Sequence, residues 1–227
     1  QELYASISTS LQKEKESEVV FCSEKLLSFY PDYYWIRVYI EQKSNGDVSG
    51  GLIDCLWNPV TKEIVIVGGK SLPIHQLNQQ GKLKLETEGQ IKDYLRFFYE
   101  CVWEDQGPFH IYEIPHESDS AEIKKLSKEI EITEEKPEYW VAKAHLIYAE
   151  HVFNATFHIN KNGSVEMVEN DPIQGGVERL FEFSKPYAYP RYKFNPAQSR
   201  QEATLMAVRP IQLELNSFYG FPALPKW

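Results

Sequence analysis

Three runs with the period of a β-strand stand so close together between Tyr34 and Val67 that only an antiparallel arrangement joins them. Trp35, Arg37 and Tyr39 alternate with Ile36, Val38 and Ile40. β-branched and aromatic residues of this kind suit a pleated, packed surface. Ser44-Asn45-Gly46-Asp47 is a turn signal, Gly51 to Trp57 is the second run, Asn58-Pro59 turns again, and Glu63 to Val67 is the third. A parallel crossover needs roughly a dozen residues or more, and these connections are far shorter. The first run is apolar on both faces, which predicts a central place in its sheet. After the break at Gly68-Gly69, Leu72 to Leu77 is expected to add a short fourth strand.

The rest of the chain mixes helix with more antiparallel strand. The stretch from Glu86 to Glu104, with its helix at about 87–104, carries Ile91, Tyr94, Leu95, Phe98 and Val102 on one stripe of helical period. Thr87 followed by Gln90 is a capping box, and Gly107-Pro108 is the expected stop. Phe97 and Trp103 lie off the stripe, so this helix is expected to be covered on several sides. A charged helix is expected over about 119–132, with Ile123, Leu126 and Ile130 inward. Val19, Val20, Leu26 and Leu27 fit a short amphipathic helix before Pro31. Phe109 to Ile114, Trp140 to Tyr148 and Val152 to Ile159 read as strands. Asn162-Gly163 is a hairpin signal with Val165 to Val168 returning. Glu178 to Phe183 reads as a short helix, while Glu202 to Leu215 fits strand and helix equally.

This order predicts an α+β fold with antiparallel β-sheets, one long amphipathic helix and one charged helix, rather than a doubly wound α/β fold. Residues 1–227 are expected to form one compact unit with two β-rich lobes, 1–115 and 116–227. The second lobe would carry an extended basic and aromatic tail over 185–227.

Composition narrows the setting. The 227 residues are 42% apolar and 25% charged, enough to bury a core without disulfide staples. Cys22, Cys55 and Cys101 show neither CxxC nor zinc-ligand spacing, which points to reduced thiols and a cytoplasmic setting. Two triplets, Asn154-Ala155-Thr156 and Asn162-Gly163-Ser164, match the glycosylation pattern, but such matches arise often by chance. There is no leader-like segment and no apolar run near the roughly 18 residues of a membrane helix. The net charge of −9 argues against bulk nucleic-acid binding, yet it is uneven. Residues 185–227 hold six Lys/Arg against two acids, whereas residues 1–184 hold 18 against 31. Such asymmetry marks a segment suited to an acidic partner or to the protein's own acidic body.

Motifs for chemistry are fragmentary. Gly46-Asp47-Val48-Ser49-Gly50-Gly51 is similar to the run around a serine-protease nucleophile, but with one residue inserted and no histidine anywhere in residues 1–45. It reads as a glycine-rich hairpin. Gly68-Gly69-Lys70-Ser71 has the ending of a phosphate-binding loop without the upstream glycine, and reads as a turn. Glu122-Ile123-Lys124 has the metal-nuclease triplet but falls on the charged helix rather than on a strand. Among the histidines, alternation along the chain puts His145 and His151 on one face and His158 on the other, with no metal-binding signature. No catalytic residue, metal or cofactor is assigned.

Aromatic residues bunch into four segments: Phe29 to Tyr39, Tyr94 to Trp103, Tyr187 to Phe194 and Phe218 to Trp227. Aromatic side chains dominate both cores and interfaces, and bunching suggests that some meet something outside the fold. Tyr187, Tyr189, Arg191, Tyr192, Lys193 and Phe194 are spaced by prolines that favour an extended backbone. With Phe218, Tyr219, Phe221 and Trp227 they form the candidate partner-binding set. The expectation is a non-enzymatic protein-interaction module or accessory subunit of a larger cytoplasmic assembly, binding another protein chain, with a homo-oligomer left open. The alternatives are a hydrolase using scattered Asp, Glu and His, and a single-stranded nucleic-acid binder acting through residues 185–200.

Overall fold

A computed structural model describes residues 17–44, 47–67, 69–104, 107–115, 120–148 and 151–174. Side chains are described over 24–37, 54–67, 69–104, 109–115, 120–148 and 151–173. The architecture is α+β with antiparallel sheets. Of the described residues, 17–27 and 31–69 belong to one compact unit, and 28–30 and 70–174 to another. Among the described residues no helix is long and apolar enough to cross a membrane.

The first unit is a four-stranded meander of β1 (Ser17–Leu27), β2 (Tyr30–Ser44), β3 (Asp47–Trp57) and β4 (Ile64–Ile66), paired in that order. β2 is internal, as its two apolar faces imply. The Val19 to Leu27 segment is a strand and not the expected amphipathic helix, because its backbone joins the sheet edge at β2. Ser44 opposite Asp47 sets the β2–β3 register, so Arg37 faces Asp54, Trp35 faces Leu56 and Ile36 faces Cys55. All six are buried, so this part of the sheet is covered on both faces. At the β3–β4 connection Asn58 Oδ1 accepts from the Val60 and Thr61 amides at 2.9 and 3.0 Å, and Lys62 takes a positive φ of 62°. Asn58-Pro59 is thus a turn, held by an Asx side chain acting on its own backbone.

The second unit begins with α1 (Leu72–Gln79) and α2 (Glu88–Cys101). The Leu72 to Leu77 stretch is therefore a helix, not the expected strand. Pro73 near the start of α1 explains the difference, since proline suits a first helical turn and removes a ladder donor from a strand. The capping box at α2 is complete: the Thr87 hydroxyl accepts from the Gln90 amide while the Gln90 side chain accepts from the Thr87 amide. The helix ends at Cys101, earlier than the sequence suggested. Gly107-Pro108 does not stop it; these residues form β6 (Gly107–Pro108), paired with β5 (Trp103–Glu104). Residues 97–101 of α2 are buried without a break, the all-round coverage that Phe97 implied.

The five-stranded sheet contains β7 (His110–Ile111), β8 (Glu131–Glu135), β9 (Tyr139–Tyr148), β10 (His151–Asn160) and β11 (Val165–Gln174). Its order is β11-β10-β9-β7, with β8 also paired to β9. Strand structure in the 109–114 segment is confined to β7. The charged helix is a single turn, α3 (Ala121–Lys124), capped by Ser120. Its continuation is forestalled because the Lys128 amide donates to the Tyr112 carbonyl and the Ile130 amide to the Glu113 carboxylate. The chain then enters β8. Ile123 packs with Tyr112, Ile147 and Val152 in a small apolar cluster, with Leu126 against it.

One face of the large sheet is apolar: Trp140, Ala142, Ala144 and Leu146 on β9, beside Ala155, Phe157 and Ile159 on β10, are all buried. Phe157 meets Tyr99 of α2 with ring centroids 5.0 Å apart. Phe29 packs against Tyr94 and Phe97 at 5.2 and 5.3 Å. A polar chain threads this aromatic core: the Tyr30 hydroxyl donates to Asn78 Oδ1, Asn78 Nδ2 donates to the Tyr94 hydroxyl, and that hydroxyl donates to the Gly163 carbonyl. Gly163, at φ +85°, lies so close to Asn78 that a Cβ there would fall 2.3 Å from Nδ2. A glycine is required at this turn on both counts.

Candidate interaction surface

Most of the described aromatic residues in the first two segments turn inward. Phe29, Tyr30, Tyr33 and Trp35, and Tyr94, Phe97, Phe98 and Tyr99, are all buried. The partner-binding set at Tyr187, Tyr189, Arg191, Tyr192, Lys193, Phe194, Phe218, Tyr219, Phe221 and Trp227 lies outside the described residues. So do the segments Glu178 to Phe183 and Glu202 to Leu215. A candidate surface has to be built from what the two units present.

In the first unit Arg37 and Asp54 are sequestered. Asp54 Oδ1 accepts from Trp35 Nε1 at 2.8 Å and Arg37 Nε at 2.7 Å, and Oδ2 accepts from Arg37 Nη2 at 3.0 Å. The guanidinium carbon sits 4.8 Å from the centroid of the Trp35 ring. This is a bidentate, charge-assisted pair with a cation–π contact, and Arg37 and Asp54 are only 1% and 2% exposed. Such a pair organises a core. Nearby, the Tyr33 hydroxyl donates to Glu63 Oε2 at 2.6 Å. Burial, followed by the Glu63 carboxylate, pushes the Tyr33 phenol up to about 12.

The second unit differs on the outer face of its large sheet. Directly paired residues of antiparallel strands share a face. Tyr148 faces His151, and counting inward from this hairpin end puts His145 opposite Asn154. His145 therefore shares its face with His158, and His151 lies on the other, the reverse of the assignment by alternation. The hairpin inverts the parity that a continuous strand would keep. His145 Nδ1 lies 2.7 Å from the Leu126 carbonyl, and His158 stacks on Tyr139 at 4.3 Å. Both rings are thus engaged within the fold. Among the described residues no group of three or more His, Cys, Asp or Glu is placed to hold a metal ion. Glu122-Ile123-Lys124 is on α3, with Ile123 in the core.

That outer face runs in rows across the strands. Glu134, Val141, His158 and Glu166 make one, Glu131, Lys143, Thr156 and Glu169 the next, and His145, Asn154 and Asp171 a third. Glu166 and Glu169 are three residues apart and would face opposite ways in a regular strand. The register shift that leaves Val168 over brings them to one face, together with Asp171. A second shift leaves Ile173 over. These two residues are the exposed large apolar side chains of β11, at 39% and 40%.

The two margins of this face are charged differently. On the β8 side Glu131 pairs with Lys128 at 3.5 Å and Glu134 with Lys136, whose ammonium is held above its usual range by that bond, while Glu135, opposite Trp140 and so on the other face, pairs with Lys161 at 3.0 Å. On the β11 side Glu169 accepts from the Thr156 hydroxyl at 2.9 Å, and none of the three carboxylates has a cation beside it among the described residues. β11 is also the end of the sheet order, and among the described residues no strand pairs with its outer side. The sequence signal for this margin was present in Glu166, Glu169 and Asp171, but reading it required the bulge. Compared with protein-family models, curated proteins and solved structures, the chain matches none.

Proposed function

We propose that this protein is a non-enzymatic protein-binding module, an accessory subunit of a larger cytoplasmic assembly. The observation that carries the reading is β11: a ten-residue strand ending its sheet, with no strand beyond it and no cation beside its acids among the described residues. A sheet edge with free backbone donors and acceptors is a surface on which proteins recognise extended segments of one another. The uneven charge and the aromatic tail residues Tyr187 to Phe194 and Phe218 to Trp227 supply a second contact region in the same reading.

Native mass spectrometry of the full chain, purified gently from its source, tests this directly. A stoichiometric second polypeptide is expected, and replacing Tyr187, Tyr189 and Tyr192 with alanine should release it. A bare monomer that turns over a substrate would overturn the proposal in favour of the hydrolase alternative.

A further inference from the structure

The occupant of the β11 edge can be specified further, resting on the protein-binding reading above. We infer that β11 takes up an extended basic segment of a partner protein, added as a further strand, with Lys or Arg at alternate positions facing Glu166, Glu169 and Asp171. Three observations converge on this chemistry.

First, β11 runs ten residues at the margin of an established sheet, so an added strand would extend a ladder whose inner side is already fixed by β10. Its main chain supplies affinity without sequence preference, and the side chains supply the selection. Second, the bulge at Val168 gathers the three carboxylates on one face. A regular strand laid alongside presents every second side chain to that face. Basic residues at i, i+2 and i+4 therefore match the acids, whereas a block of consecutive lysines sends half its charge to the opposite face. Third, no cation among the described residues neutralises these acids, in contrast to the lysine-paired acids of β8. A basic strand supplies the missing charge.

The same features argue against a second copy of this edge as occupant. Pairing β11 with β11 would bring carboxylates together, and like charges placed opposite one another destabilise a strand pair. Edge strands are commonly guarded against their own kind by charge, bulges and proline, and β11 has all three, with Pro172 near its end. Guarding against self and selecting an opposite charge are one device.

The test uses the full-length protein and a fluorescent synthetic peptide of about ten residues, the length of β11, alternating Lys with Thr and Val. Two controls keep its composition: one with the lysines in a block, and one N-methylated at alternate amides so that it cannot complete a ladder. The alternating peptide should bind, and both controls should be weaker by about tenfold or more. The double variant Glu166→Lys, Asp171→Lys should show a similar loss. Glu129→Lys with Glu138→Lys, which changes the net charge equally at exposed positions away from β11, should bind like the parent. Equal binding of the N-methylated peptide would overturn strand addition, and equal loss in the two double variants would reduce the effect to bulk charge. If a polypeptide co-purifies with the protein but the peptide does not bind, this inference fails and the general reading stands. A bare chain that ignores the peptide overturns both.

Discussion

The two sheets treat charge in opposite ways. In the first unit Arg37 and Asp54 are enclosed where the described part of the sheet is buried on both faces, and they pair with each other. In the second unit one face of the sheet is dry over its length, and the other, covered only at its Ile147–Val152 end, carries Glu131, Glu134, Glu166, Glu169 and Asp171, the first two paired with lysines. The difference teaches where a charge organises a fold and where it is available to a partner. A buried pair is costly to desolvate and is kept only by close geometry, so removing one member exposes that cost. An exposed acid at a sheet margin is nearly free to the fold and can be held for recognition.

The largest expected effect breaks the first half of this comparison. Asp54→Asn keeps the shape but removes the Asp54 charge from the enclosed Arg37 guanidinium, and should cost about 3–5 kcal/mol of stability in denaturant unfolding of the whole chain. A loss below about 1 kcal/mol, the range of exposed pairs, would show that water reaches the site and that the contrast between the sheets is false.

Next comes Gly163, where the second unit is as intolerant as the first. Gly163→Ala forces a Cβ to 2.3 Å from Asn78 Nδ2 and 2.5 Å from Leu83 Cδ2, at a φ of +85°. The expected cost is about 1–3 kcal/mol from overpacking, on top of the backbone strain. Gly81→Ala is the matched control. Its φ is +71°, but nothing lies within 4 Å of the added atom, so only the backbone component, about 1 kcal/mol, should remain. Equal losses in the two variants would mean that the turn at Gly163 yields and that its contacts to Asn78 and Tyr94 are not tight.

How far this was legible in the sequence depends on the residue. The Thr87–Gln90 capping box and the Asn162-Gly163 hairpin are local devices, and both formed as read. The Arg37–Asp54 pair was within reach but missed. Once Ser44 faces Asp47, counting seven residues back along each strand places Arg37 opposite Asp54. Leu72 to Leu77 and Val19 to Leu27 were exchanged between helix and strand because short apolar runs do not reveal their period, and pairing partners decide. The charged helix was shortened by the Tyr112 and Glu113 acceptors, which no local pattern contains. The acidic margin of β11 depends on a bulge, and a bulge is a property of two strands rather than one. The tail residues from Tyr187 to Trp227 lie outside the described residues.

A smaller effect sharpens the contrast through pH. The Tyr33 phenol, raised by burial and by Glu63 to about 12, titrates near 10 in the unfolded chain. A folded value above the unfolded one means that the neutral form is favoured by folding. Its contribution is complete below pH 10 and is lost as pH rises through 12. Unfolding midpoints followed from pH 8 to 12 should therefore fall more steeply in the parent than in Tyr33→Phe. At neutral pH that variant should lose only about 1 kcal/mol, for one hydrogen bond. Parallel curves would indicate that the Tyr33 hydroxyl is solvated and that its bond to Glu63 adds nothing to this unit.

The smallest effect is the most telling for the open margin. Glu166→Lys with Asp171→Lys should change stability by no more than about 0.5 kcal/mol, because both residues are exposed and neither has a cation to lose among the described residues. Set beside Asp54→Asn, the same kind of charge change then differs severalfold between the two sheets. A loss above about 2 kcal/mol would mean that these acids are committed to the fold, as Asp54 is. They would then no longer be available to a partner, and the edge would have to be read as internal structure. A negligible change, measured on the variant that also tests peptide binding, separates the two roles cleanly: stability unaltered and recognition lost places the function of these carboxylates outside the chain.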